Sequence, residues 1–141
     1  MERVNELQEK YRQLDRQFDA QGEEAIDATC LLTFPYDYPE QGAEVLIETE
    51  EFTAVCPWTG LPDLGTLTIR YVPNQLLLEL KSFKYYLLSF RSVGIVQEHA
   101  ANRILNDLVS SCAPLRINLT LDYKPRGGIH TSVSVSLPNP I

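Results

Sequence analysis

The last third of the chain carries two runs in which every second residue is apolar, with a glycine-rich turn between them. Leu115, Ile117, Leu119, Leu121 and Tyr123 set the first alternation, and Val133, Val135 and Leu137 set the second. A period of two places all of these side chains on one face of a strand, so the spacing predicts strands over 115–123 and 129–137. Lys124-Pro125-Arg126-Gly127-Gly128 supplies the turn. Two helical patterns come before this pair. Phe83, Tyr86, Leu87 and Phe90 form one apolar face over 82–92, and Gly94 breaks it. Ile95, Val96, Ala100, Ile104, Leu105, Leu108 and Val109 form the stripe of a second helix over 95–110, which Pro114 ends.

The first half reads less regularly. Residues 2–19 read as a helix, with Val4, Leu7, Tyr11, Leu14 and Phe18 at spacings of three and four. This seam is about two and a half heptads long, short for a coiled coil, and is expected to dock on the body or on a neighbouring subunit. Residues 20–43 are acidic and turn-rich, with a short strand within 29–34. Strands are expected over 44–49 and 51–55. Gly65–Val72 and Gln75–Leu80, joined by Pro73-Asn74, read as a further hairpin.

Strands and helices are thus segregated along the chain, which makes the class α+β. The expected form is a four-stranded antiparallel sheet with both helices on one face, over residues 44–141. An N-terminal helix and acidic connector precede it, over 1–43. Two open sheet edges invite pairing between subunits.

With 141 residues, the chain is one domain with a modest core. No stretch approaches a membrane span, and Met1-Glu2-Arg3-Val4-Asn5-Glu6 does not begin a signal peptide. Three cysteines, Cys30, Cys56 and Cys112, cannot all pair, so a reducing cytoplasmic setting is expected. The net charge of −7 argues against a general nucleic-acid surface. From Gln17 to Ile69 there are eleven acids and no lysine or arginine. Five of the twelve basic residues lie in two short segments, Lys81, Lys84 and Arg91 in one and Lys124 and Arg126 in the other. Such local patches suit a small anionic ligand such as a phosphate-bearing cofactor, although solvated faces give the same pattern.

Four features can carry chemistry. Cys56 opens an irregular loop, Cys56-Pro57-Trp58-Thr59-Gly60-Leu61-Pro62-Asp63, between two β-like runs. A thiol and a carboxylate held in one loop can face one pocket as nucleophile and proton donor. A buried cysteine beside a surface aspartate has the same spacing. Glu98 falls in the first turn of the second helix, where the dipole favours a carboxylate. It can equally accept paired N–H bonds from an edge like that of guanine. Lys81 and Lys84 share a helical face near a helix start, where backbone N–H groups favour phosphate. Arg126-Gly127-Gly128 offers a guanidinium and a flexible backbone to an anion. Two histidines and three scattered cysteines show no metal-ligand spacing.

Glu79-Leu80-Lys81-Ser82-x-Lys84-x-Tyr86, followed by Ser89-Phe90-Arg91, resembles the signature of the 7-cyano-7-deazaguanine reductases, the nitrile reductases of queuosine biosynthesis. Cys56-Pro57, Asp63, Glu98 and Arg126-Gly127-Gly128 fall in that family's order. The resemblance covers about residues 44–137 and is to the single-module branch. It implies a tunnelling fold and a homo-oligomer, a decamer of two pentamers, with sites between subunits. It implies that Cys56 adds to the nitrile carbon of 7-cyano-7-deazaguanine to form a thioimide, and that Asp63 donates the proton. Glu98, Gln97, Leu78, Glu79 and Leu80 would contact the substrate. Lys81, Lys84, Arg126 and Gly127 would contact NADPH, used twice per turnover without a metal. Gln97 departs from the family pattern, which often has histidine there; here His99 follows Glu98 instead. Cys30 and Cys112 match no catalytic position and read as structural. The alternatives are an amidinotransferase of the same fold, which would have no use for the two lysines, and a non-catalytic binding or assembly module, which would have no use for Cys56 and Asp63. A zinc-dependent cyclohydrolase lacks its ligand set here.

Overall fold

The computed structural model describes residues 2–15 and 17–139. The helical expectation at position 16, and the chain ends at 1, 140 and 141, lie outside the described residues. The chain runs α1 (Glu2–Leu14), β1 (Thr33–Pro35), β2 (Val45–Val55), β3 (Pro62–Val72), β4 (Leu76–Leu78), α2 (Leu80–Leu88), α3 (Gln97–Cys112), β5 (Arg116–Arg126) and β6 (Ile129–Leu137). Three short 3-10 turns lie between α1 and β2.

A four-stranded antiparallel sheet in the order β2-β3-β5-β6 forms the body. The alternation read from the sequence fixes which face is covered. Leu67, Ile69 and Tyr71 of β3 and Ile117, Leu119, Leu121 and Tyr123 of β5 are all buried on the same side. Against them pack Phe83, Tyr86 and Phe90 from the α2 region and Ala100, Ala101, Ile104, Leu105 and Leu108 of α3. The helices are joined to each other by polar contact. The Tyr86 hydroxyl donates to Asp107 at 2.6 Å, and Arg103 pairs with the same carboxylate at 2.8 Å. The class and the one-sided placement of the helices are as the sequence predicts.

Several local expectations are corrected. The hairpin predicted from Gly65–Val72 and Gln75–Leu80 does not form. Both sides of β3 are taken, by β2 and β5, and the three-residue β4 pairs with β1 instead. Tyr71 holds the crossing, its hydroxyl accepting the Leu78 N–H at 3.2 Å. The two short strands expected over 44–49 and 51–55 are one strand, β2, with a register shift between Thr49 and Phe52. A bulge there puts the strand's alternation out of phase, which is why it read as two. The first helix ends at Leu14 rather than residue 19. Its apolar seam of Val4, Leu7, Tyr11 and Leu14 is exposed and does not dock on the body of the chain. Both later helices are displaced by two or more residues. α2 starts at Leu80 because Glu79 caps it, and α3 ends in Ala113, whose positive φ of 42° closes the last turn.

Residues after α1 form a strap over the body. Phe18 N–H donates to the Thr59 carbonyl at 2.8 Å, and Gln21 N–H donates to the Ser92 carbonyl at 2.7 Å. Further on, Asp27 N–H is accepted by the Ser89 hydroxyl and Leu32 N–H by the Ser82 hydroxyl. This segment therefore binds to both ends of α2.

Ile104 is fully buried between α3 and the sheet. Ile104→Ala is expected to cost roughly 2–5 kcal/mol of stability, because a cavity remains where the layers meet. Urea denaturation followed by circular dichroism checks it, with a fall in midpoint at unchanged slope as the expected result.

Candidate active site

The Cys56 loop is shaped by its own backbone. Cys56 N–H donates to the Leu61 carbonyl at 2.9 Å, and the Cys56 carbonyl accepts Gly60 N–H at 2.8 Å. Gly60 has a φ of 74°, and a Cβ there would lie 2.4 Å from the Phe18 carbonyl oxygen. Only glycine meets both demands. The loop's start is anchored by Val55, whose N–H donates to the Val93 carbonyl at 3.0 Å and whose carbonyl accepts Ile95 N–H at 3.2 Å. Gly94 lets this linker pass close by, since a Cβ on it would come within 3.1 Å of both Pro57 and Ala20. These contacts set the Cys56 loop beside the start of α3.

Cys56, Trp58, Thr59, Asp63, Gln97, Glu98, Arg126 and Thr131 share the wall of one open cavity of about 630 Å3. Pro57, Leu61, Pro62, Val96 and Ile129 supply its apolar part. The sequence thus placed the thiol, the aspartate, the helix-start glutamate and the turn arginine in segments that the fold brings together. Glu98 is exposed at the second position of α3, pointed toward solvent at the cavity wall. Asp63 is buried, at 8% relative exposure.

The Cys56 thiol is held below its ordinary pKa. The side-chain hydrogen bond of Thr59 is the largest influence holding Cys56 below its ordinary value, and backbone N–H groups of Trp58 and Thr59 act in the same direction. Burial and the charge of Asp63 oppose them. The Thr59 hydroxyl is itself oriented, accepting the Leu61 N–H at 3.2 Å. The other two thiols behave oppositely. Burial pushes Cys112 up to about 11, and burial followed by the charge of Asp27 pushes Cys30 up. Neither lines the cavity.

Other candidates lie elsewhere. Leu78 is buried in β4, Glu79 caps α2, and Leu80, Lys81 and Lys84 are exposed on α2; none of the five lines the Cys56 cavity. The expected phosphate site at backbone N–H groups of this helix start is corrected. The Glu79 carboxylate already accepts Lys81 N–H at 2.9 Å and Ser82 N–H at 2.7 Å. Those bonds hold the Glu79 carboxyl below its usual range. The lysine ammonium groups remain available, with no ion pair among the described residues. Gly127 and Gly128 have φ of 58° and 76° and form the two-residue turn between β5 and β6, with no heavy atom within 4 Å of where a Cβ would stand.

Gln97 is buried rather than displayed. Its amide N–H groups donate to the Leu121 and Thr131 carbonyls, both at 2.9 Å. Sequence reasoning missed Thr59, Thr131 and Tyr123. The Cys-x-x-Thr spacing in a tight loop was the available signal for Thr59. Tyr123 reads as a core residue, and its ring is buried, yet its hydroxyl has no hydrogen-bond partner among the described residues. Burial and then the charge of Asp63 push that phenol far above its ordinary range.

Comparison with known proteins places the chain in a family. A model of the QueF-like protein family matches residues 62–140. The chain belongs to the QueF-like family. It is 54% identical over 127 residues to the NADPH-dependent 7-cyano-7-deazaguanine reductase of Caldicellulosiruptor bescii, covering 90% of this chain and 95% of that one. The protein of the same name from Caldanaerobacter subterraneus subsp. tengcongensis is 50% identical over 127 residues, covering 90% and 93%. That from Chlorobaculum tepidum is 50% identical over 103 residues, covering 73% and 88%. The crystal structure of an archaeosine synthase QueF-Like protein in the apo form superposes with a TM-score of 0.64 at 22% identity, covering 69% of this chain and 95% of that one. That likeness is of fold. No helix among the described residues is long and apolar enough to cross a membrane.

Thr59→Val removes the hydroxyl that favours the Cys56 thiolate, so the thiol pKa is expected to rise toward its ordinary value. The rate of Cys56 alkylation by iodoacetamide against pH, read by mass spectrometry of the peptide, should then have its midpoint at higher pH than in the parent protein.

Proposed function

We propose that this chain reduces the nitrile of 7-cyano-7-deazaguanine to the aminomethyl group, with NADPH as reductant. The observation that carries this reading is the shared cavity of an activated thiol, a buried aspartate and a helix-start glutamate. The names of relatives about half identical over most of the chain support it.

The chemistry follows from the residues. A nitrile carbon is a weak electrophile, and a soft thiolate is a suitable nucleophile for it. Cys56 sulfur bonds to that carbon, one carbon–nitrogen π bond opens, and the nitrogen takes a proton through Asp63, giving the thioimide. The proton is the one the thiol gives up, so the step is an addition of S–H across the triple bond with no change in electron count. Glu98, exposed at the cavity wall, accepts the paired N–H groups of the deazaguanine edge. Leu78, Glu79 and Leu80 add contacts to the substrate from outside this chain's own cavity.

Bound NADPH supplies hydride, and taking a nitrile to an amine consumes two of them. The available Lys81 and Lys84 ammonium groups, on one exposed face of α2, suit the phosphates of such a cofactor. Because they stand off the Cys56 cavity, a complete site draws on a second copy of the chain. A homo-oligomer, a decamer of two pentamers, meets that need, and the edge strands β2 and β6 are available for pairing. An ammonia-using amidinotransferase would share the thioimide but would have no use for the two lysines.

Two measurements test this. The parent protein mixed with 7-cyano-7-deazaguanine, without NADPH, should gain the full mass of one substrate, and Cys56→Ala should gain nothing. An unchanged mass at saturating substrate counts against the reading. Lys81→Ala combined with Lys84→Ala should raise the KM for NADPH about tenfold or more while the adduct still forms, since two charge-assisted contacts are lost. Equal loss of both would point away from a cofactor site on α2.

A further inference from the structure

Every side chain from Arg3 to Asp15 is exposed. Among the described residues nothing covers the apolar seam of α1: Val4 is 55% exposed, Leu7 47%, Tyr11 55% and Leu14 64%. A helix of 13 residues without tertiary packing is marginal in water. The body holds only its exit. Asp15 N–H donates to the Tyr11 carbonyl at 2.9 Å, and three residues later Phe18 N–H donates to the Thr59 carbonyl at 2.8 Å.

The seam occupies the positions of a coiled coil. With Val4 at position a of a heptad, Leu7 and Leu14 fall at d and Tyr11 at the next a. Asn5, Glu6, Glu9, Arg12 and Gln13 fill b, c and f, and all are polar. On that outer side Arg12 and Glu9 pair with each other at 3.0 Å. Lys10 at g and Asp15 at e flank the seam instead, and neither has an ion pair among the described residues. Leucine at both d positions, with β-branched valine at one a, favours two strands.

We propose that the seam of α1 is covered by α1 of a second copy of this chain, in a parallel two-stranded pair. Charge decides both the occupant and its direction. In a parallel pair each g residue faces the e residue five positions further along the other helix, so Lys10 meets the second copy's Asp15 on both sides of the seam. In an antiparallel pair g faces g, and Lys10 would meet Lys10. A helix of another sequence would have to supply both charges in register, whereas a second copy is complementary to itself, as a two-fold interface requires. Two heptads pair weakly as free peptides, so the pair forms where two bodies already hold their helices close. Because Phe18 ties the exit of α1 to the Cys56 loop, such a pair sets two Cys56 loops at the same end. The inference does not rest on the chemistry proposed for Cys56.

The test uses the full chain. Leu7→Cys under mild oxidation should yield a covalent dimer, joined 7 to 7 by peptide mass spectrometry, at least about fivefold faster than Glu9→Cys, because d faces d while f faces solvent. Co-expressed Val4→Cys and Leu14→Cys chains should give 4-to-4 and 14-to-14 links and no 4-to-14 link. Adding Lys10→Asp to the Leu7→Cys chain should slow the dimer about threefold, since two exposed ion pairs become like-charge contacts. Adding Asp15→Lys as well should restore the rate, which a merely structural role of Lys10 would not allow. Equal rates for Leu7→Cys and Glu9→Cys would overturn the proposal. Links from residue 7 to Cys30 or Cys56 of another copy would overturn it in favour of docking on a neighbour's body. A 4-to-14 link would overturn the parallel direction, and a rate indifferent to Lys10→Asp would overturn the charge pairing that sets it. Circular dichroism serves as the folding control. Adduct formation with 7-cyano-7-deazaguanine is read separately on the same chains, so this proposal and the proposed function can each fail alone.

Discussion

Two backbone hydrogen bonds hold the candidate site together. Val55, the last residue of β2, donates to Val93 and accepts from Ile95. These bonds join the end of a strand to the linker that feeds α3. One step beyond Val55 is the thiol of Cys56, and three beyond Ile95 is Glu98. If those bonds were absent, the Cys56 loop and the helix start would be separate surface features. Gly94 permits the approach, because a side chain there would meet both Pro57 and Ala20. The strap that includes Ala20 then closes over the other side through Phe18 and Gln21. An irregular loop with a glycine at its tip would by itself be mobile. Here it is held from three directions, which is what a nucleophile needs if it is to meet a weak electrophile in a fixed geometry.

The legible parts of the fold were those set by period. β5 and β6 declare themselves by alternation, and α3 by its stripe, because each buries one face against one layer and local pattern then reports tertiary position. Elsewhere the information was not local. β3 and β4 are adjacent in sequence and joined by Pro73-Asn74, which is a proper turn signal. They do not pair, because β3 has a long partner on each edge and a three-residue strand cannot compete with eleven-residue ones. The bulge in β2 carries Glu50 and Glu51 past one partner residue and breaks the alternation that would have shown a single strand. The start of α2 could have been found. Glu79 stands three residues before Ser82 in a stretch where a carboxylate at the N-cap satisfies two orphan N–H groups.

The candidate site divides in the same way. The Cys56 loop showed itself through proline, glycine and the Cys–Asp spacing, all local features. Glu98 showed itself through its place in a helix start. Where Arg126 sits was not readable, because it depends on three registers at once. The β3–β5 pairing brings Gly65 opposite Tyr123, so Asp63 lies just past the last pair and near the end of β5. The β5–β6 pairing sets Tyr123 opposite Thr131, with a register shift before Arg126. Packing of α3 on both strands then presents Gln97. A basic residue beside two glycines reads in isolation as an anion-binding turn, and only the assembled sheet brings its guanidinium, itself exposed, beside Asp63.

The site as one chain presents it is also unevenly divided in charge. Among the described residues its cavity holds two carboxylates and a single guanidinium, and that guanidinium lies 3.1 Å from Asp63. Among the described residues no second cation lines it. The free lysines stand on α2, whose first N–H groups are already taken by Glu79. Under the proposed function those lysines come to the cavity from another copy, for which the sheet's own edges offer a means. β2 and β6 each leave one row of backbone groups unpaired within the chain. Under the proposed function, assembly and catalysis are then one requirement. On that reading the chain would supply the chemistry of capture from one end of its sheet and the recognition of NADPH from α2, with neighbouring copies bringing the two together.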